Sequence, residues 1–124
     1  MARVLIVDDD PDILGIVKFR LSKAGHQVLG AASGPEALQI VARHGNPDLV
    51  VLDVSMPGMT GFELLQSLRQ IPGLQAMPAI FLSARVSPRD IETGRSLGAT
   101  YLTKPFVASA LLKAIEREVV TTAW

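Results

Sequence analysis

The chain has 124 residues, no cysteine, twelve basic residues against twelve acidic ones, and a hydrophobic fraction of 48%. Length and hydrophobic content predict one domain with a single core, and the balanced charge gives no overall field for nucleic acid, an anionic membrane or a basic partner. The lack of cysteine excludes disulfides, thiolate nucleophiles and Cys-ligated zinc, and it suits a reducing, cytoplasmic setting.

The first apolar run, Val4 to Val7, is too short for a signal peptide or a membrane helix. No repeat, low-complexity stretch or Pro/Gly/Ser-rich linker divides the chain, so residues 1–124 read as one soluble unit. The first strand is expected over Arg3 to Val7 and ends in Asp8 and Asp9. Asp10 precedes Pro11 and reads as the N-cap of a helix, with Asp12 in its first turn and Ile13, Leu14, Val17 and Leu21 as its apolar stripe. Gly25 stops that helix, and Gln27 to Gly30 form the least apolar strand.

Ser33 followed by Glu36 resembles a capping box that opens the second helix, which Gly45 closes. After Pro47, Leu49 to Asp53 form a strand that runs into the turn-rich segment Val54-Ser55-Met56-Pro57-Gly58. Leu64, Leu65 and Leu68 mark the third helix. Pro78 precedes a strand over Ala79 to Leu82, which ends in Ser83. Ser87, Pro88 and Asp90 supply a cap, a first-turn proline and an acid for the fourth helix. Gly98 separates it from a strand over Thr100 to Thr103, which ends in Lys104 and Pro105. Leu111, Leu112, Ile115 and Val119 mark the last helix.

Five strands alternating with five helices predict an α/β fold, a doubly wound parallel sheet of flavodoxin-like type with helices on both faces. The weakly apolar second strand fits an edge, which favours strand order 2-1-3-4-5 and places the switch point between the first and third strands. Parallel strands bring their carboxyl ends to one edge, so Asp8, Asp9, Asp53, Ser83 and Lys104 are expected to share a site. Three converging carboxylates repel one another unless a cation intervenes, and a hard dication prefers such oxygen ligands. Asp53 alone could merely cap a turn, and Lys104 could form a plain salt bridge or serve as a point charge suited to phosphate. Ser83 has no histidine near it in sequence and reads as a hydrogen-bond donor in preference to a nucleophile. His26 and His44 read as surface residues. A dication, a carboxylate able to attack, a lysine and a hydroxyl match the needs of phosphoryl transfer, with Asp53 as the nucleophile.

The segments Val7-Asp8-Asp9-Asp10, Leu52-Asp53-Val54-Ser55-Met56-Pro57 with Gly61, Ser83-Ala84, and Tyr101-Leu102-Thr103-Lys104-Pro105-Phe106 resemble the receiver domain of bacterial two-component response regulators. The resemblance covers nearly the whole chain, and chemotaxis receivers are themselves known examples of the 2-1-3-4-5 order. It implies that Asp53 accepts a phosphoryl group from a sensor histidine kinase or phosphotransfer protein in a reaction that needs Mg²⁺, or Mn²⁺ in its place. Asp9 would bind the metal directly, Asp8 largely through water, and the Ser55 backbone carbonyl would complete the set with Asp53. Lys104 would pair with the phosphoryl group. Ser83 would move to bond one of its oxygens and let Tyr101 change rotamer, altering the surface near Ser87 to Leu97. The Lys104–Pro105 peptide bond would be cis, and Ser55 and Arg85 would tune the phosphoryl lifetime. The downstream partner would be another protein or a linked output domain beyond Trp124. Thr60 stands where an Asp is frequent, and Val107, Ala108 and Ser109 replace the usual acidic start of the last helix.

Two other readings follow from the same residues. One is a Mg²⁺-dependent phosphohydrolase with an aspartyl nucleophile, against which stand Ser55, where such enzymes usually carry a second acid, and the lack of length for a cap domain. The other is an interaction module that keeps the fold without being phosphorylated.

Overall fold

A computed structural model describes residues 2–84, 87–104 and 108–122. Arg85 and Pro105, with the peptide bond that precedes the proline, lie outside the described residues, as does the side chain of Val119. Five strands, β1 (Arg3–Val7), β2 (Gln27–Ala31), β3 (Leu49–Leu52), β4 (Ala79–Ser83) and β5 (Thr100–Thr103), alternate with five helices. The helices are α1 (Pro11–Lys23), α2 (Gly34–His44), α3 (Gly61–Leu68), α4 (Pro88–Ser96) and α5 (Ala108–Thr122). All pairings are parallel and the order is β2-β1-β3-β4-β5, with the half-exposed β2 at an edge as its composition predicts.

The continuous apolar runs divide by alternate residues between two cores, because successive strand side chains point to opposite faces. Leu5, Val7, Val50, Leu52 and Phe81 pack with Ala37 and Val41 of α2 and with Leu64, Leu65 and Leu68 of α3. Val4, Ile6, Leu49, Val51, Ile80 and Leu82 pack with Val17 and Leu21 of α1 and with Leu111, Ala114 and Ile115 of α5. Burying every residue of β3 on both faces leaves its polar successor, Asp53, no place but the rim.

The helix boundaries follow the expected caps with one exchange. The Asp10 side chain accepts from the amides of Asp12 and Ile13, and the Ser87 hydroxyl accepts from that of Asp90. Ser33 accepts from the Glu36 amide, but the Glu36 carboxylate reaches the Ala32 amide at 3.4 Å, so the reciprocal half of the expected box misses by one residue. The complete capping box opens α3, where Thr60 Oγ1 accepts from the Glu63 amide and Glu63 Oε1 accepts from the Thr60 amide. Gly25, Gly45 and Gly98 all have positive φ at the helix ends where stops are expected. Among the described residues no helix is long and apolar enough to cross a membrane.

Candidate functional site

The carboxyl edge of the sheet holds the site through backbone bonds that extend each ladder by one rung. The Asp8 amide donates to the Ala31 carbonyl at 3.1 Å, the Asp53 amide to the Val7 carbonyl at 3.0 Å and the Lys104 amide to the Ser83 carbonyl at 2.8 Å. Asp53 thus leaves β3, one residue earlier than the sequence suggests, without giving up its sheet bond. Next to it Gly61 lets α3 close in, since a Cβ there would run into the Asp53 carbonyl oxygen. The Gly61 amide donates to the Val54 carbonyl at 2.9 Å, which fixes the loop between β3 and α3 at both ends.

Asp8, Asp9 and Asp53 each offer an oxygen within 4.8 Å of the others, Asp8 and Asp53 being buried and Asp9 exposed. Lys104 Nζ lies 2.8 Å from Asp8 Oδ2 and 3.3 Å from Asp53 Oδ2. The lysine therefore bridges the two buried acids and sits closer to the one not expected to react. Asp8 Oδ1 accepts from the Asp10 amide at 2.9 Å, and Asp53 Oδ1 accepts from the Ser55 amide at 3.3 Å. Ser83 is fully buried, while Ser55 is exposed. Tyr101, half-buried on β5, lies beside Phe81 with ring centroids 6.0 Å apart, and Phe81 in turn meets the Phe62 ring edge-on at 5.1 Å.

Burial pushes the Asp8 carboxyl above its ordinary pKa, outweighing the hydrogen bond and charge of Lys104 and the Asp10 amide, and the charge of Asp53 adds to the rise. Burial also works against the Lys104 ammonium, but its hydrogen bond to Asp8 and the charges of Asp53 and Asp8 overcome it and raise its pKa. Lys104 is held charged, and the unfavourable energy falls on Asp8. One ammonium does not balance three carboxylates, two of them buried. The all-oxygen donor set of the cluster fits a hard dication.

The structure thus brings together Asp8, Asp9, Asp53 and Lys104, places Ser83 at the end of the adjoining strand, and leaves both histidines away from the rim. His26 Nδ1 accepts from the Ala2 amide at 3.2 Å, and the His44 carbonyl accepts from Arg3. Sequence reading passed over Thr60 as a cap, although T-x-x-E before an apolar helix is a capping signal. It also passed over Arg69, whose guanidinium donates to the carbonyls of Leu97 and Met77.

The 2-1-3-4-5 order makes this a flavodoxin-like doubly wound α/β fold, with the acidic pocket at its switch point. Residues 4–116 match the model of the response regulator receiver domain, and the chain belongs to that family of phosphorylation-dependent signalling switches. It is 40% identical over 116 residues to the protein PilH of Pseudomonas aeruginosa, covering 93% of this chain and 95% of PilH. It is 41% identical over 107 residues to the transcriptional regulatory protein KdpE of Mycobacterium tuberculosis, covering 86% of this chain but 46% of KdpE. The solved structure of the chemotaxis protein CheY4 of Vibrio cholerae superposes with a TM-score of 0.87 at 39% identity, covering 94% of this chain and 98% of that one.

Proposed function

We propose that Asp53 is the phosphoacceptor, taking a phosphoryl group from a phosphohistidine of a sensor histidine kinase or phosphotransfer protein. The observation that supports this best is the placing of a buried carboxylate within 3.3 Å of a lysine and beside two further acids. An Asp53 oxygen attacks phosphorus, the P–N bond to the donor imidazole breaks, and the imidazole leaves with the electron pair. Lys104 shifts its charge from Asp8 toward the new phosphoryl oxygens, which lie on the Asp53 side of its present position. Ser83 donates a hydrogen bond to one of them.

Asp8, Asp9 and Asp53, with the Ser55 backbone carbonyl, would hold Mg²⁺ or Mn²⁺, which when bound supplies charge neutralisation at the equatorial oxygens. Asp9, the exposed member of the three, would be a direct ligand, and Asp8 would act largely through water. Tyr101 follows Ser83 and alters the face formed by α4 and β5, which meets a downstream protein or a linked output domain. Ser55 and Arg85 set how long the phosphoryl group survives.

Incubation with Mg²⁺ and acetyl phosphate, read by intact mass, is expected to add one phosphoryl group to the wild type and none to Asp53→Asn. An unmodified wild type, or a modified Asp53→Asn, would overturn the assignment.

A further inference from the structure

Helix α4 rests on the sheet through a glycine. Gly94 is its one buried residue; the others are exposed or half-buried. A Cβ at that position would lie 2.8 Å from Tyr101 Cδ2, 3.4 Å from Tyr101 Cε2 and 3.3 Å from Phe81 Cδ2. The first of these is closer than carbon atoms approach without displacement. The atom it meets lies at the root of the ring, so a small swing of the ring's far end gives no relief. Phe81 is fully buried and pinned by Phe62, which blocks retreat in that direction.

Nor is α4 free to back away at this end. Arg69 donates to the carbonyl of Leu97, the residue that caps α4, and at 3.0 Å to the carbonyl of Met77 before β4. The Gly94 carbonyl itself accepts from the amides of Leu97 and Ala99, at 3.2 and 3.3 Å. A glycine inside a nine-residue helix opposes helix propensity, and the close seat it gives the Tyr101 ring is a physical reason for it.

We propose that Gly94 is the positioning residue of the α4–β5 switch. Its bare Cα is the seat of the Tyr101 ring, and the absence of a side chain there sets whether the ring can lie against α4 and so transmit the state of Asp53 to that helix. The transmission half of this proposal rests on Asp53 being the phosphoacceptor; the seat does not.

The chain contains a single tyrosine, so protein grown with 3-fluorotyrosine gives one ¹⁹F resonance, that of residue 101. Gly94→Ala is expected to displace this resonance in the unmodified protein. It is also expected to cut the shift caused by acetyl phosphate and Mg²⁺ to less than half the wild-type shift, with phosphoryl mass incorporated as in the wild type. Melting temperatures provide a second readout that needs no phosphate. Gly94→Ala should lower Tm more when Tyr101 is present than in a Tyr101→Ala background, where the nearer ring is gone and Phe81 at 3.3 Å is what the added methyl still meets. The double variant also remains informative if the single one fails to fold. An unchanged resonance and phosphate shift, or the same Tm change in both backgrounds, would overturn the proposal. If the wild type takes up no phosphoryl group, the transmission half falls with the Asp53 assignment, while the ground-state resonance and the Tm pair still decide the seat.

Discussion

The buried acid Asp8 is the residue that most clearly carries the cost of the site. Its raised pKa means that the folded protein binds its proton more readily than the unfolded chain does. In metal-free protein its contribution therefore favours folding at low pH, and that contribution is lost as pH rises through the ordinary carboxylate range toward the raised folded value. Asp8→Asn removes the charge and keeps the shape, and is expected to stabilise the metal-free protein by about 1 kcal/mol near neutral pH, an amount typical of single substitutions. The same change should erase most of the stabilisation that Mg²⁺ gives the wild type. Urea melts with and without Mg²⁺ check both, and a destabilised metal-free variant would show that Lys104 already balances the acids.

At the scale of elements, the carboxyl edge was legible because site residues follow the ends of strand-length runs: Asp8 after Val7, Asp53 after Leu52, Ser83 after Leu82 and Lys104 after Thr103. A parallel sheet converts that pattern into one location. The preference of Lys104 for Asp8 over Asp53 was not legible, since spacing says nothing of which of two nearby oxygens an ammonium meets. Arg69 and Gly94 left no sign because their partners are tertiary: Arg69 reaches a carbonyl 28 residues away, and Gly94 matters only through a ring on another strand.

The start of α3 divides the same way. Thr60→Ala removes one half of the capping box and should cost about 1 kcal/mol in urea unfolding, as cap losses do. Gly61→Ala forces α3 away from the Asp53 backbone and should cost about 3 kcal/mol or more, the range of changes that disturb a close-packed core. Phosphoryl uptake from acetyl phosphate should fall in Gly61→Ala and persist in Thr60→Ala. Equal stability losses in the two would mean that the loop absorbs the added methyl.

Across the whole molecule, chemistry and scaffolding occupy opposite ends of the sheet. The carboxyl edge gathers the charges. At the other end Arg3 closes the start of β1, donating from its amide to Asp48 and from its guanidinium to the carbonyls of His44 and Asn46, while the Asn46 side chain donates to the Pro72 carbonyl. A formal net charge of zero overall means that the acidic rim is a local field and not a property of the chain as a whole. A cation bound only by the folded rim stabilises the whole domain by mass action, about 2.7 kcal/mol at a hundred times its dissociation constant. Thermal melts over a Mg²⁺ series should therefore rise logarithmically in the wild type. A flat series would remove the dication from the account.

The extra rung that Asp8, Asp53 and Lys104 each add to the ladder has a consequence in time. Their side chains line the acidic rim, yet their amides are clamped to Ala31, Val7 and Ser83. Such amides surrender their protons to deuterium only when the sheet itself opens. The three should exchange with the slow core class, near the rate of global unfolding, while the side chains a few bonds away would be left to react on the timescale of chemistry. The clamps would let the site pass through phosphorylation and its reversal without the frame that spaces its charges ever letting go.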